Sequence, residues 1–215
     1  MKYIIWLDEL SKDSGMIAGG KGANLGELIS IGMPVPEGFV ITTKAFEDFL
    51  EKNKIKDEIE RLIISCNVDE TKNLLETSEK IKKIINGAEY VIEMRNEIVD
   101  AYNKISSPRK IKIPNTLALI PPGKDYALVA VRSSATTEDL PTASFAGQQA
   151  SFLNIKGIRE LLDAIKKCWA SLYEPRAIFY RAKHGFRHAS IAVIIQKMVN
   201  SEKSGVMFTV NPSTG

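Results

Sequence analysis

Val131 to Gln149 reads VRSSATTEDLPTASFAGQQ. Just upstream, Ala127 to Val131 is a compact apolar run with the length and composition of a short buried strand. It delivers Arg132 into Ser133-Ser134-Ala135-Thr136-Thr137, the start of a polar stretch that continues to Ser144. A guanidinium fork binds phosphate oxygens bidentately, and neighbouring hydroxyls and backbone donors can supplement it. The same arginine can instead close a strand end by pairing with Glu138 or Asp139, and both readings stand at this point. Thr142 to Gln149 combines small residues, hydroxyls, Gly147 and glutamines, which suits a lid closing over a phosphate tail, with Phe145 packed inward as its anchor. Phe152, Leu153 and Ile155 form the next strand. An amphipathic helix follows from near Gly157, with apolar positions at Leu161, Leu162, Ile165, Trp169 and Leu172, and Pro175 opens another.

Toward the N-terminus, Tyr3 to Trp6 reads as a short buried strand, and Gly19-Gly20-Lys21-Gly22 as a loop leading into a helix over Ala23 to Ile29. Missing side chains let backbone N–H groups approach a phosphate, and the Lys21 ammonium adds charge. A tight turn with an exposed lysine accounts for the same residues, because the spacing is not that of a P-loop. Pro34 and Pro36 break the helix, Gly38 to Thr42 makes a second strand, and Thr43 caps a helix with Phe46, Phe49 and Leu50 on one face.

From Lys54 to Ile105 the spacing of Ile81, Ile84 and Ile85, then Val91, Met94, Ile98 and Tyr102, predicts two or three amphipathic helices. Their charges are solvated faces, and no chemistry is assigned there. Pro108, Pro114, Pro121, Pro122 and Gly123 mark a connector. Ile191 to Met198 and Val206 to Val210 read as two strands joined through Asn200 to Gly205, a hairpin. Short strands and segregated helices together predict an α+β fold.

The composition is that of a soluble globular chain, with 44% hydrophobic and 26% charged residues among 215. A net charge of +3, with basic and acidic residues interleaved, argues against a nucleic-acid partner. Cys66 and Cys168 are the only cysteines, too few for a disulfide framework or a zinc site, and fit a reducing cytoplasm. The apolar start ends at Asp8 and Glu9, short of a signal peptide, and no run approaches a membrane span. His184 and His188, beside Arg181, Lys183 and Arg187, read as solvated residues of a basic helix and are not placed in a site.

Three blocks carry a family resemblance: Gly19 to Leu28 (GGKGANLGEL), Val131 to Gln149, and Gly205 to Gly215 (GVMFTVNPSTG). In wording, order and spacing they resemble the phosphoenolpyruvate synthases, the pyruvate, water dikinases. The resemblance implies an ATP-grasp-type nucleotide-binding domain of the pyruvate phosphate dikinase N-terminal family, incomplete at its C-terminus. Residues 1–190 would form the first lobe, with a helical insertion at about 54–105, and residues 191–215 a hinge strand and the start of a second lobe.

It also implies the chemistry: with ATP and magnesium the family phosphorylates a histidine on a separate domain, releasing AMP and phosphate, and that histidine phosphorylates pyruvate. By motif, Lys21 and Arg132 would contact the nucleotide phosphates, with Arg132 acting in the transfer. Gly147 and Ser151 would meet the nucleotide at the lid, and Gln196 would lie on the strand lining the adenine pocket. The magnesium ligands, the phosphohistidine domain and the pyruvate-binding domain are expected beyond Gly215, so this stretch alone is not expected to turn over. Pyruvate, phosphate dikinases and rifampicin phosphotransferases share these blocks, and a non-catalytic nucleotide-sensing or interaction module is the alternative of a different class.

Overall fold

The computed structural model describes residues 2–107, 125–136, 150–185, 189–208 and 210–211. Five strands, β1 (Ile4–Trp6), β2 (Gly38–Ile41), β3 (Val129–Ala135), β4 (Ser151–Ile155) and β5 (Ile191–Lys197), form one sheet. Its order is β1-β2-β5-β3-β4, with antiparallel neighbours throughout. Seven helices are α1 (Gly15–Ser30), α2 (Thr43–Lys52), α3 (Lys56–Ile64), α4 (Thr71–Gly87), α5 (Ile92–Ser106), α6 (Ile158–Ser171) and α7 (Pro175–His184). The α+β class expected from the sequence is what the described residues show.

Side chains alternate across a strand, so each strand feeds two layers. Phe39, Ile41, Val129, Val131, Val193 and Ile195 join one large core with residues of the helices α2 to α7. Val40, Ala192 and Ile194 face the other way, where Leu7, Leu10 and Ala18 cover them. The first of these layers holds an aromatic knot around the fully buried Trp169, whose ring lies 4.7 Å from Phe49, 5.7 Å from Tyr90 and 5.8 Å from Phe46 between centroids. Such rings bury the largest apolar areas in a core and prefer offset or tilted packing. The second layer is α1 lying across β3 and β5.

The segment 54–105 forms three helices, as its periodicity predicts. Ile59, Ile81, Ile85, Met94, Ile98 and Tyr102 are all buried in the same core as the sheet, so these helices are part of the main layer. Pro175 opens α7 at its first turn, where a missing N–H costs nothing. The cap of α2 falls one residue earlier than expected: Thr42 accepts from the Ala45 amide at 3.4 Å, and Thr43 is already helical.

Two expectations need correction. The strand bearing Arg132 does not end there, because β3 continues through Ser133 and Ser134 to Ala135, paired with β5 along its whole length. The expected hairpin after β5 is absent: residues 198–208 contain no strand, and Val206, Met207 and Phe208 are exposed. Both edges of β5 are already taken by β2 and β3, so a following strand cannot pair back onto β5 as a hairpin requires. β5, the expected hinge strand, is the middle strand of this sheet.

Candidate functional site

The glycine-rich stretch is built differently from a plain loop. Gly15 to Ala18 make one helical turn, Gly19 breaks it with φ 70° and ψ 168°, and the helix resumes to Ser30. That positive φ suits only glycine, and a Cβ at this position would come within 2.3 Å of both the carbonyl oxygen and the Oγ of Ser134. The break creates a second helix start in mid-element. Gly20, Lys21 and Gly22 occupy its first turn, where amide N–H groups lack partners along the helix and the dipole favours an anion. The Gly22 amide is met from the sheet, donating to Ser134 Oγ at 3.3 Å.

β3 sets the other half. Arg132 lies opposite Ile194 of β5 and Ser151 of β4, while Ser134 lies opposite Ala192. Directly paired residues share a face, so Arg132, Ser134 and Ser151 project on the side covered by α1. Arg132 and Ser134 are one pleat repeat apart, about 7 Å. The turn bearing Lys21 is thus fastened to the strand bearing Arg132, one repeat along. Arg132 is half-buried, and among the described residues no carboxylate pairs with it. The alternative partners Glu138 and Asp139 lie outside the described residues.

Gln196 stands on the same face, opposite Ala130 and Gly38. It is buried, and its amide nitrogen donates to the Pro36 carbonyl at 3.3 Å. Of the five sequence-selected residues, Lys21, Arg132, Ser151 and Gln196 therefore come to the α1 side of the sheet. Gly147 lies outside the described residues, as do Phe145 and the rest of the expected lid.

The hydroxyls after Arg132 behave otherwise than expected. Ser133 donates both its amide, at 3.0 Å, and its Oγ, at 3.2 Å, to the Ala150 carbonyl. Thr136 does the same to the Ser190 carbonyl, at 3.2 and 3.3 Å. These groups fasten neighbouring chain to β3 and are not spare phosphate donors. Sequence reading missed Ser134 as a fastening residue; continuing the strand's alternation past Arg132 to Ala135 would have placed it on the inner face.

His184 is committed to its own helix: Nδ1 donates to the Tyr180 carbonyl at 2.9 Å, and the two rings stack at 4.0 Å. His188 lies outside the described residues. Two clefts, about 470 Å³ beside Glu51, Lys54 and Asp57 and about 320 Å³ beside Leu74, Pro175 and Phe179, belong to the helical layer and do not border the α1 face. Among the described residues no three acidic, histidine or cysteine side chains stand together to hold a metal ion, and no helix is long and apolar enough to cross a membrane.

A glycine-broken helix start fastened beside a strand arginine defines a candidate anion site in an α+β domain, and comparison with known proteins gives its class. Residues 15–215 match the family described as pyruvate phosphate dikinase, AMP/ATP-binding domain, and the chain belongs to that family. Among individual proteins, it is 46% identical over its whole length to a probable phosphoenolpyruvate synthase of Methanothermobacter thermautotrophicus, covering 30% of that protein. It is 47% identical over 99% of its length to a probable phosphoenolpyruvate synthase of Methanocaldococcus jannaschii, covering 17% of it. Against the phosphoenolpyruvate synthase of Pyrococcus furiosus the identity is 40% over 99% of the chain, and 29% of that protein is covered. The chain thus spans between 17% and 30% of the length of these relatives.

Proposed function

We propose that this chain is the ATP-binding part of a phosphoenolpyruvate synthase, of the ATP-grasp type, acting with magnesium. In that reaction ATP, pyruvate and water give AMP, phosphoenolpyruvate and phosphate: ATP phosphorylates a histidine on another domain, water takes up the phosphoryl group released as phosphate, and the phosphohistidine phosphorylates pyruvate. The observation that carries the reading is the link between the Lys21 turn and the Arg132 strand through Gly22 and Ser134. The names of the relatives point the same way.

The residues present fit a triphosphate. A polyanion needs several donors converging from different elements, and the amides of a helix start, an ammonium and a guanidinium supply them without reorganisation. Lys21 and the Gly20 amide would hold phosphate oxygens, while the Gly22 amide stays on Ser134. Arg132 would neutralise charge as the phosphoryl group transfers, the main service a protein gives to this chemistry. Ser151, on the edge strand beside Arg132, would meet the nucleotide together with Gly147, and Gln196 would border the adenine. None of the described carboxylates is assigned to magnesium. The partners of this site would be the phosphohistidine domain and a pyruvate-binding domain, with the protein working in the cytoplasm.

Calorimetric titration of ATP into the chain tests the reading. Loss of a hydrogen bond to a charged group costs about 1.5–3 kcal/mol, so Lys21→Ala and Arg132→Ala are each expected to weaken ATP by roughly 10- to 150-fold. Wild-type affinity in both variants would contradict the site.

A further inference from the structure

We infer that Ser134 is a positioning residue for phosphate binding: it sets the Lys21 turn in register with Arg132, and it does so without itself touching the ligand. This rests on the phosphate reading of Lys21 and Arg132. Ser134 is wholly buried in β3, and its Oγ accepts the Gly22 amide at 3.3 Å. Its carbonyl and Oγ both lie where a side chain on Gly19 would have to go. One residue therefore braces both ends of the segment Gly19 to Gly22, with Lys21 between them. One hydrogen bond at Gly22 and one close backbone approach at Gly19 fix the turn at its two ends, and a turn so held presents the Lys21 ammonium in one geometry before any ligand arrives.

Position in the strand completes the argument. Arg132 is one pleat repeat from Ser134 on the same face, and both are locked to β5 through Ile194 and Ala192. A movement of the turn relative to β3 is thus a movement of Lys21 relative to Arg132. Removing the Ser134 hydroxyl leaves the Gly22 amide without its acceptor and opens space beside Gly19, so the turn can shift while the strand stays. A shift on the ångström scale is enough to spoil two cations aimed at one polyanion.

The experiment compares binding of inorganic tripolyphosphate and of adenosine to the 215-residue chain. For Ser134→Ala the expected result is about a tenfold loss of tripolyphosphate affinity with adenosine unchanged, and no further loss when the change is added to Lys21→Ala. Ser134→Cys, nearly isosteric, serves if the alanine variant folds poorly, and is expected to fall in the same direction. Ser78→Ala is the control: it loses an equally buried hydroxyl contact, 2.7 Å to the Tyr173 carbonyl, in the helical layer on the face of the sheet opposite α1. It is expected to lower thermal stability and leave both affinities alone. Wild-type tripolyphosphate binding by the Ser134 variants, with Lys21→Ala and Arg132→Ala impaired, overturns this inference and leaves the proposed function standing. Equal losses for tripolyphosphate and adenosine, or full additivity with Lys21→Ala, overturn it as well. Unimpaired Lys21→Ala and Arg132→Ala overturn both readings together.

Discussion

Cys168 shows how closely the core and the site are joined at the level of single residues. Its side chain is fully buried, with the sulfur 3.8 Å from the Val131 carbonyl and 3.9 Å from that of Ala150, the residues immediately before Arg132 and Ser151. Burial pushes its pKa from an ordinary 9.0 up to about 12. The fold therefore favours the neutral thiol, and the sign follows: its contribution to stability is fully present below pH 9 and is lost as the pH rises toward about 12. Cys168→Ala is expected to cost about 1 kcal/mol near neutrality, the scale for deleting a small buried group. It should also flatten part of the fall in stability above pH 9. Urea midpoints across the alkaline range check this, and an unchanged alkaline slope would contradict it. Tyr173 is likewise pushed up to about 12 by burial, so part of the slope persists in the variant.

At the scale of elements, β5 organises the sheet, and Gly38 shows how tightly. A Cβ there would lie 2.4 Å from the Ile195 carbonyl oxygen and 2.9 Å from a Leu7 methyl, so β2 and β5 can approach only because the position is bare. Backbone in a central strand has little room to yield, and Gly38→Ala should destabilise by about 1–3 kcal/mol. Chemical denaturation measures it, and a change below a few tenths of a kcal/mol would show that the strands can part. The elements themselves were largely legible. Ile81, Met94 and Ile98 betray their helices by spacing, and Phe39-Val40-Ile41 betrays β2 by composition. Three features were not. Serines after Arg132 look like a loop, yet they extend β3 because β5 offers partners on one side and Ala150 on the other. The Gly19 break inside α1 depends on Ser134, which is distant in sequence. Val206 to Val210 has the look of the second strand of a hairpin, but strand order, which sequence does not display, closes both sides of β5 to it.

Considered whole, the molecule divides its labour across the sheet. One face carries the aromatic core and six helices, and the other carries α1 and the residues proposed to meet ATP. Lys21 and Arg132 could be named from the sequence because glycine before a helix and arginine at a strand are chemically suggestive. Their common face could not, since it depends on β3 lying beside β5 and on α1 crossing both. Ser134 escaped notice because its role exists only across that packing. The central claim is that one triphosphate engages the turn and the strand together. Titrating ATP into the isotope-labelled chain while following backbone amides by nuclear magnetic resonance tests it directly. The amides of Gly20, Lys21, Gly22 and Arg132 should shift along one binding curve while those of α3 and α4 stay still. Separate curves for turn and strand, or a response confined to one of them, would contradict it.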